Sequence, residues 1–215
     1  MQIYPLTLAN AWLAIGEIDE LLTNSSVSIS KPNQQGSIAC RLLLRQLQRH
    51  IEQLDQQAHE LDERELPYYF ISNSQKWFVS FSHSQRQVAV LLADVANIGV
   101  DIENKPIKSR VAKRFFSQGE NQWLSQINDV KQVELAKTLL WTLKESHIKA
   151  MTNQQNTQNL TLSQGLGVDM LQWLNPSELT LLLAIKKPYH ELNLSNAVLG
   201  FLPESQCSWW VGQSL

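Results

Sequence analysis

The chain has 215 residues, 43% of them hydrophobic and 18% charged, with a formal net charge of −2. That is enough apolar material for a packed core, and the charge balance excludes a polycation built for nucleic acid. No run approaches the ~20 apolar residues of a membrane span. Cys40 and Cys207 have no spacing partner for a disulfide framework or zinc site, and the first residues lack a basic leader with a long apolar run, so a cytoplasmic protein is expected.

Leu6 to Asp19 alternates in part and predicts a strand, with Ile18 to Thr23 as a short helix. Lys31-Pro32 is a helix-entry signal. From 33 to 63, Ile38, Leu42, Leu47, Ile51, Leu54, Ala58 and Leu61 form one apolar stripe opposite Arg41, Arg45 and Arg49, which predicts a long helix. Three strands are predicted next, at Tyr68–Ser72, Trp77–Ser82 and Gln87–Asp94. The third is mostly apolar and so is expected to be buried on both faces. Connections as short as Asn73-Ser74-Gln75 and Ser84-Gln85-Arg86 suit hairpins.

Ile98-Gly99-Val100-Asp101-Ile102-Glu103 reads as a short buried strand ending in two acids. A strand repeats every two residues, so Asp101 and Glu103 share one face and Val100 and Ile102 the other. Gly99 lets another backbone or a ligand come close. Two like charges on one face repel; a hard divalent cation with oxygen ligands would neutralise them. A strand running out into solvent with two unremarkable acids is the other reading of the same residues.

Helical patterns follow over 109–116 and 131–151, and Ser117-Gln118-Gly119-Glu120 has the spacing of a capping box. The Gln- and Asn-rich run 152–159 predicts a loop. Short strands are predicted at 160–162, 178–185, 197–202 and 208–211. Two halves, 1–97 and 98–215, thus carry a similar order of elements. They predict an α+β protein of two related lobes meeting near residue 98, a common place for a ligand cleft.

In Trp141-Thr142-Leu143-Lys144-Glu145-Ser146-His147-Ile148-Lys149, charge lies inside an apolar helix. Glu145 and Lys149 share a face. They are either a surface ion pair or a third carboxylate with a lysine beside a metal-held phosphate. His83, in Phe81-Ser82-His83-Ser84, is either a capped strand end or part of a phosphate-binding cluster. No nucleophile elbow, dinucleotide-binding glycine fingerprint or Walker loop is present.

Three blocks together resemble the Sfp-type 4′-phosphopantetheinyl transferases: Phe81-Ser82-His83-Ser84, Ile98–Glu103, and Trp141–Lys149, which resembles that family's Trp-x-x-Lys-Glu-Ser/Ala-x-x-Lys. Ala112-Lys113-Arg114-Phe115-Phe116-Ser117 resembles its Arg-Phe-Phe-Ser helix junction. Where many members follow the lysine with Gly-Lys-Gly-Leu, this chain has Ala150-Met151-Thr152-Asn153. The resemblance implies a 4′-phosphopantetheinyl transferase fold, two pseudo-twofold-related lobes with coenzyme A between them. It implies Mg2+-dependent transfer of the phosphopantetheine arm to a serine of an apo acyl or peptidyl carrier protein, with release of 3′,5′-ADP, in fatty acid, polyketide or nonribosomal peptide synthesis. By the same resemblance Asp101, Glu103 and Glu145 would hold the metal, and Glu145 and Lys149 would be catalytic. Ser82, His83, Arg41 and Lys144 would bind coenzyme A, His83 at its 3′-phosphate. A monomer is expected, since one chain supplies both lobes. The basic residues Lys105, Lys108, Arg110, Lys113 and Arg114 either receive an acidic carrier or form a solvated helix face. A carrier-binding module without turnover and a Mg2+-dependent phosphodiesterase are the competing expectations.

Overall fold

A computed structural model describes residues 1–7, 10–25, 31–52, 54, 60–154, 168–183 and 189–212. The elements run β1 (Gln2–Pro5), β2 (Ala11–Glu17), α1 (Ile18–Thr23), α2 (Gln35–His50), β3 (Tyr68–Ser72), β4 (Gln75–His83), β5 (Gln87–Ala93), β6 (Ile98–Ile102), α3 (Ser109–Phe115), α4 (Gln118–Ser125), α5 (Val130–Gln154), α6 (Pro176–Leu183), β7 (His190–Asn193), β8 (Ala197–Leu202) and β9 (Cys207–Gly212). Helices and antiparallel sheets are mixed, as an α+β reading requires.

Two antiparallel sheets form the centre, one ordered β1-β2-β5-β4-β3 and the other β6-β9-β8-β7. Side-chain alternation on their strands builds three apolar layers. Val88, Val90 and Leu92 of β5 point at α1 and α2 with Trp77 and Val79. Ala89, Leu91 and Ala93, on the other face, meet Val100, Ile102, Trp209 and Val211 of the second sheet. Trp210, Leu199 and Phe201 then pack against α3 to α6. The molecule is therefore layered helix, sheet, sheet, helix, with the sheets face to face, and β5 is buried on both faces as its composition predicts.

Several boundaries differ from the sequence pattern. The strand expected over 6–19 is shorter, β2 alone, and a strand the pattern did not predict, β1, precedes it, paired Gln2 with Ile15 through Pro5 with Trp12. The helix expected over 33–63 stops at His50, and Ile51 is extended. Its apolar spacing continues because Ile51 and Leu54 still reach the same core from a non-helical backbone; Ala58 lies outside the described residues. The strand expected at 178–185 is, through Leu183, a helix, α6; residues 184 and 185 lie outside the described residues. Asn175 Oδ1 accepts from the amides of Ser177 and Glu178, while Glu178 Oε2 accepts from the Asn175 amide, with Pro176 opening the helix. The capping box at α4 is present, with Glu120 N donating to Ser117 Oγ and Ser117 N to Glu120 Oε2. α5 extends through Gln154, into the run expected to be a loop; residues 155–159 and the strand expected at 160–162 lie outside the described residues. No helix among the described residues is long and apolar enough to cross a membrane.

Candidate active site

β6 is an edge strand of its sheet, bonded on one side to β9. Its other edge would leave amides unpaired, and a buried unpaired N–H is costly. β4 supplies the partners through side chains. Val100 N donates to Ser80 Oγ (3.1 Å), Ile102 N to Ser82 Oγ (3.3 Å) and Asn104 N to Ser84 Oγ (2.9 Å). Three alternating serines thus tie the two sheets together where β4 passes β6.

On its helix-facing side, β6 carries Gly99 and Asp101. α5 crosses there in direct contact: a Cβ on Gly99 would collide with the Ser146 carbonyl oxygen and lie 2.8 Å from Ala150 N. The missing side chain is what lets α5 press against the strand. One turn of that helix on either side of Ser146 holds Glu145 and Lys149, so the close crossing brings both to Asp101. Lys149 Nζ donates to Asp101 Oδ1 (2.8 Å), to the Val100 carbonyl (2.8 Å) and to the Phe81 carbonyl (3.5 Å). Its three protons therefore span α5, β6 and β4. Glu145 is half-buried. Burial pushes its carboxyl above the ordinary range, the Asp101 carboxylate pushes it further, and Lys149 offsets part of this. A cavity of about 300 Å³ opens beside the pair, walled by Leu66, Tyr68, Phe81 and Ile148.

Glu103 lies just past β6. Its Oε1 accepts from Ser84 Oγ (2.7 Å) and Lys105 N (2.8 Å). Among the described residues, no three His, Cys, Asp or Glu side chains converge tightly enough to enclose a metal ion. A magnesium ion needs no such cage, since it keeps several waters and takes one or two carboxylates plus substrate phosphates. The donors here are all carboxylate oxygens, and Lys149 is the only described cation in ion-pair contact with any of the three acids. The upward push on Glu145 by Asp101 is the repulsion a hard dication relieves. The residues fit that ion in donor type and charge.

The other expected binding residues fall into two groups. His83 is exposed at the end of β4, on the face opposite the serines, and its ring lies flat on Gly36 at the start of α2; a Cβ there would be 2.6 Å from His83 Cγ. Arg41, one turn further along α2, stacks on Phe81 (5.2 Å to the ring centre), donates to the Ser37 carbonyl and hydroxyl, and pairs with Glu63. His83 and Arg41 therefore share the seam between β4 and α2. Ser82 and Lys144 do not face a cleft. The Ser82 hydroxyl gives its proton to Asp101 Oδ1 (2.8 Å) while accepting from Ile102; it faces β6 because strand alternation turns it away from His83. Lys144 is fully buried and pairs with Glu120 Oε2 at 2.9 Å, with a further bond to the Val168 carbonyl. Burial lowers the Lys144 ammonium's affinity for its proton, and Glu120 restores part of it. The missed partner, Glu120, also caps α4 and accepts from Met170 N (2.8 Å). Lys105, Lys108, Arg110, Lys113 and Arg114 are all exposed.

Residues 97–201 match the model of the ACPS 4′-phosphopantetheinyl transferase superfamily. The matched stretch covers 105 of the 215 residues and contains Asp101, Glu103, Glu145 and Lys149. It leaves out Ser82, His83 and Arg41. No curated protein matches the chain. The superfamily is one of phosphopantetheine transferases, so the match supports at that level what the three sequence blocks imply.

Proposed function

We propose that this chain moves the 4′-phosphopantetheine arm of coenzyme A onto a serine of an apo carrier protein, as an Sfp-type transferase of the holo-carrier-protein synthase kind. The observation that carries the proposal is the junction of Asp101, Glu145 and Lys149, built by β6 and α5 inside the stretch that matches the superfamily. The proposed architecture is two lobes, 1–97 and 98–215, about a pseudo-twofold axis. It is supported by the origin of one sheet in residues 2–93 and of the other in 98–212.

Asp101, Glu103 and Glu145 would hold Mg2+, which when bound offsets the diphosphate's charge and orients it for in-line attack. The chain's own groups do the rest. Glu145, whose proton affinity is raised, takes the proton from the incoming serine hydroxyl. That oxygen forms the new bond to the β-phosphorus as the bond to the 3′,5′-ADP oxygen breaks. Lys149, already directed into the junction, stabilises the charge left on the departing diphosphate oxygen. His83 and Arg41 receive the 3′-phosphate along the β4–α2 seam, Arg41 exchanging Glu63 for it. The exposed basic residues from Lys105 to Arg114 suit the acidic surface of a carrier.

The test is an intact-mass assay with coenzyme A, Mg2+ and a panel of apo carriers. The proposal expects a carrier to gain the mass of the arm, and Asp101→Ala or Glu145→Ala to abolish the gain with the fold unchanged. Failure of every carrier to gain mass, or transfer of the arm to water, would overturn it.

A further inference from the structure

The serines of β4 do not all make the same contact. Each accepts an amide from β6 or the residues just past it, but only two also hold an acid. Ser82 accepts from Ile102 N and gives its proton to the preceding residue's carboxylate, Asp101 Oδ1, at 2.8 Å. Ser84 repeats this one step on, accepting from Asn104 N and donating to Glu103 Oε1 at 2.7 Å. Ser80 accepts from Val100 N in the same way, but the residue before Val100 is Gly99, which has no carboxylate. A serine hydroxyl has one proton, and the amide it accepts from fixes which way that proton points. The pairing therefore orients each carboxylate as well as bonding it.

We infer that Ser82 and Ser84 are positioning residues that fix Asp101 and Glu103 for a divalent cation. The inference rests on the metal-site reading given above. Asp101 Oδ1 is taken by Ser82 and Lys149, and Glu103 Oε1 by Ser84 and the Lys105 amide. Among the described residues Asp101 Oδ2 and Glu103 Oε2 carry no hydrogen bond. Each acid thus offers its second oxygen as the ligand, in a fixed orientation and singly rather than as a chelating pair. The hydroxyls also hold the two like charges in place, so an arriving ion need not order them. Outer partners of this kind tune metal affinity by about 10–100-fold.

Ser80 supplies the internal control. It is as buried as Ser82, 6% against 7% exposed, and caps the same strand edge. Ser80→Ala removes the cap alone; Ser82→Ala and Ser84→Ala remove the cap and the hold on an acid. The experiment titrates the intact protein with Mn2+ and reads free Mn2+ by electron paramagnetic resonance, with circular dichroism of each variant. Ser82→Ala and Ser84→Ala are expected to weaken Mn2+ binding about tenfold or more, Ser80→Ala less than twofold, and Ser82→Thr, which keeps the hydroxyl, is expected to stay near wild type. Binding within twofold of wild type for both Ser82→Ala and Ser84→Ala overturns the inference, as does an equal loss in Ser80→Ala. Should Ser82→Ala not fold, the half-buried Ser84 decides it alone. A wild-type protein that binds no Mn2+ overturns the metal site and this inference together, whereas bound Mn2+ with indifferent serine variants overturns only the inference.

Discussion

The close crossing of α5 over β6 makes Gly99→Ala the most informative single substitution. The added methyl would meet the backbone of α5: the Ser146 carbonyl oxygen, Ser146 C at 2.9 Å and Ala150 N at 2.8 Å. Ordinary contact begins near 3.4 Å, so α5 must withdraw by at least about half an ångström at Ala150 and further at Ser146. Backbone cannot swing aside as a side-chain tip does. Overpacking of this kind costs about 1–3 kcal/mol, which for a chain of this size lowers the thermal midpoint by about 2–12 °C. The consequence for function is larger, because Glu145 and Lys149 flank the point of collision while Asp101 stays on the strand. A misplacement of about 1 Å lowers catalysis by roughly 100-fold. Melting followed by circular dichroism and single-turnover transfer from coenzyme A read the two effects. An unchanged midpoint together with a rate within twofold of wild type would refute the argument that Gly99 sets the site.

Three further outcomes follow from buried charges and thiols. Lys144→Met strands the Glu120 carboxylate, which keeps only its amide donors at Ser117 and Met170, and should destabilise the fold by about 3–5 kcal/mol in urea unfolding; adding Glu120→Gln removes the unpaired charge but leaves one of the two amides facing an NH2 group, and should recover only part of that loss. His147 is wedged between Trp173 and Trp210, each 4.6 Å away, and burial, with Lys144 adding, pushes it down to about 4. A depressed value contributes stability that is fully present above about pH 6.5 and lost as the pH falls toward 4, at most about 3 kcal/mol; His147→Phe should flatten that part of the stability profile, and an identical profile would count against it. Cys40 is pushed up to about 12 and Cys207 is also raised, both by burial, so neither thiol should react with a maleimide at neutral pH until the protein unfolds.

Which features were legible in the sequence follows from how local their causes are. The capping box of α4 and the twofold burial of β5 depend on neighbours in the chain, and both read directly from composition and spacing. α6 did not, because Leu179 to Leu183 is apolar except for Thr180 and shows no clear helical stripe; its signal was the Asn175-Pro176-Ser177-Glu178 entry, which outweighs the run. α2 ended early although its stripe went on, since apolar spacing reports burial at Ile51 and Leu54 and not the backbone that delivers them. At the site, the shared face of Asp101 with Glu103 and of Glu145 with Lys149 was visible from periodicity, but their meeting depends on α5 lying on Gly99. The partners of Ser82 and Lys144 were not legible because they are distant in sequence: an edge strand at 98–102 and a carboxylate at Glu120. One trace was available. Serines at 80, 82 and 84 and acids at 101 and 103 share the same period of two.

The most direct test of the central claim is a single-turnover experiment that mixes the protein with coenzyme A, an apo carrier and Mg2+ and follows carrier mass with time, for wild type and for Glu145→Gln. The wild-type reaction is expected to convert the carrier and to stop when Mg2+ is chelated, and Glu145→Gln, with its fold intact, to leave the carrier unmodified. Transfer by Glu145→Gln at the wild-type rate, or by the wild type with the metal removed, would contradict it.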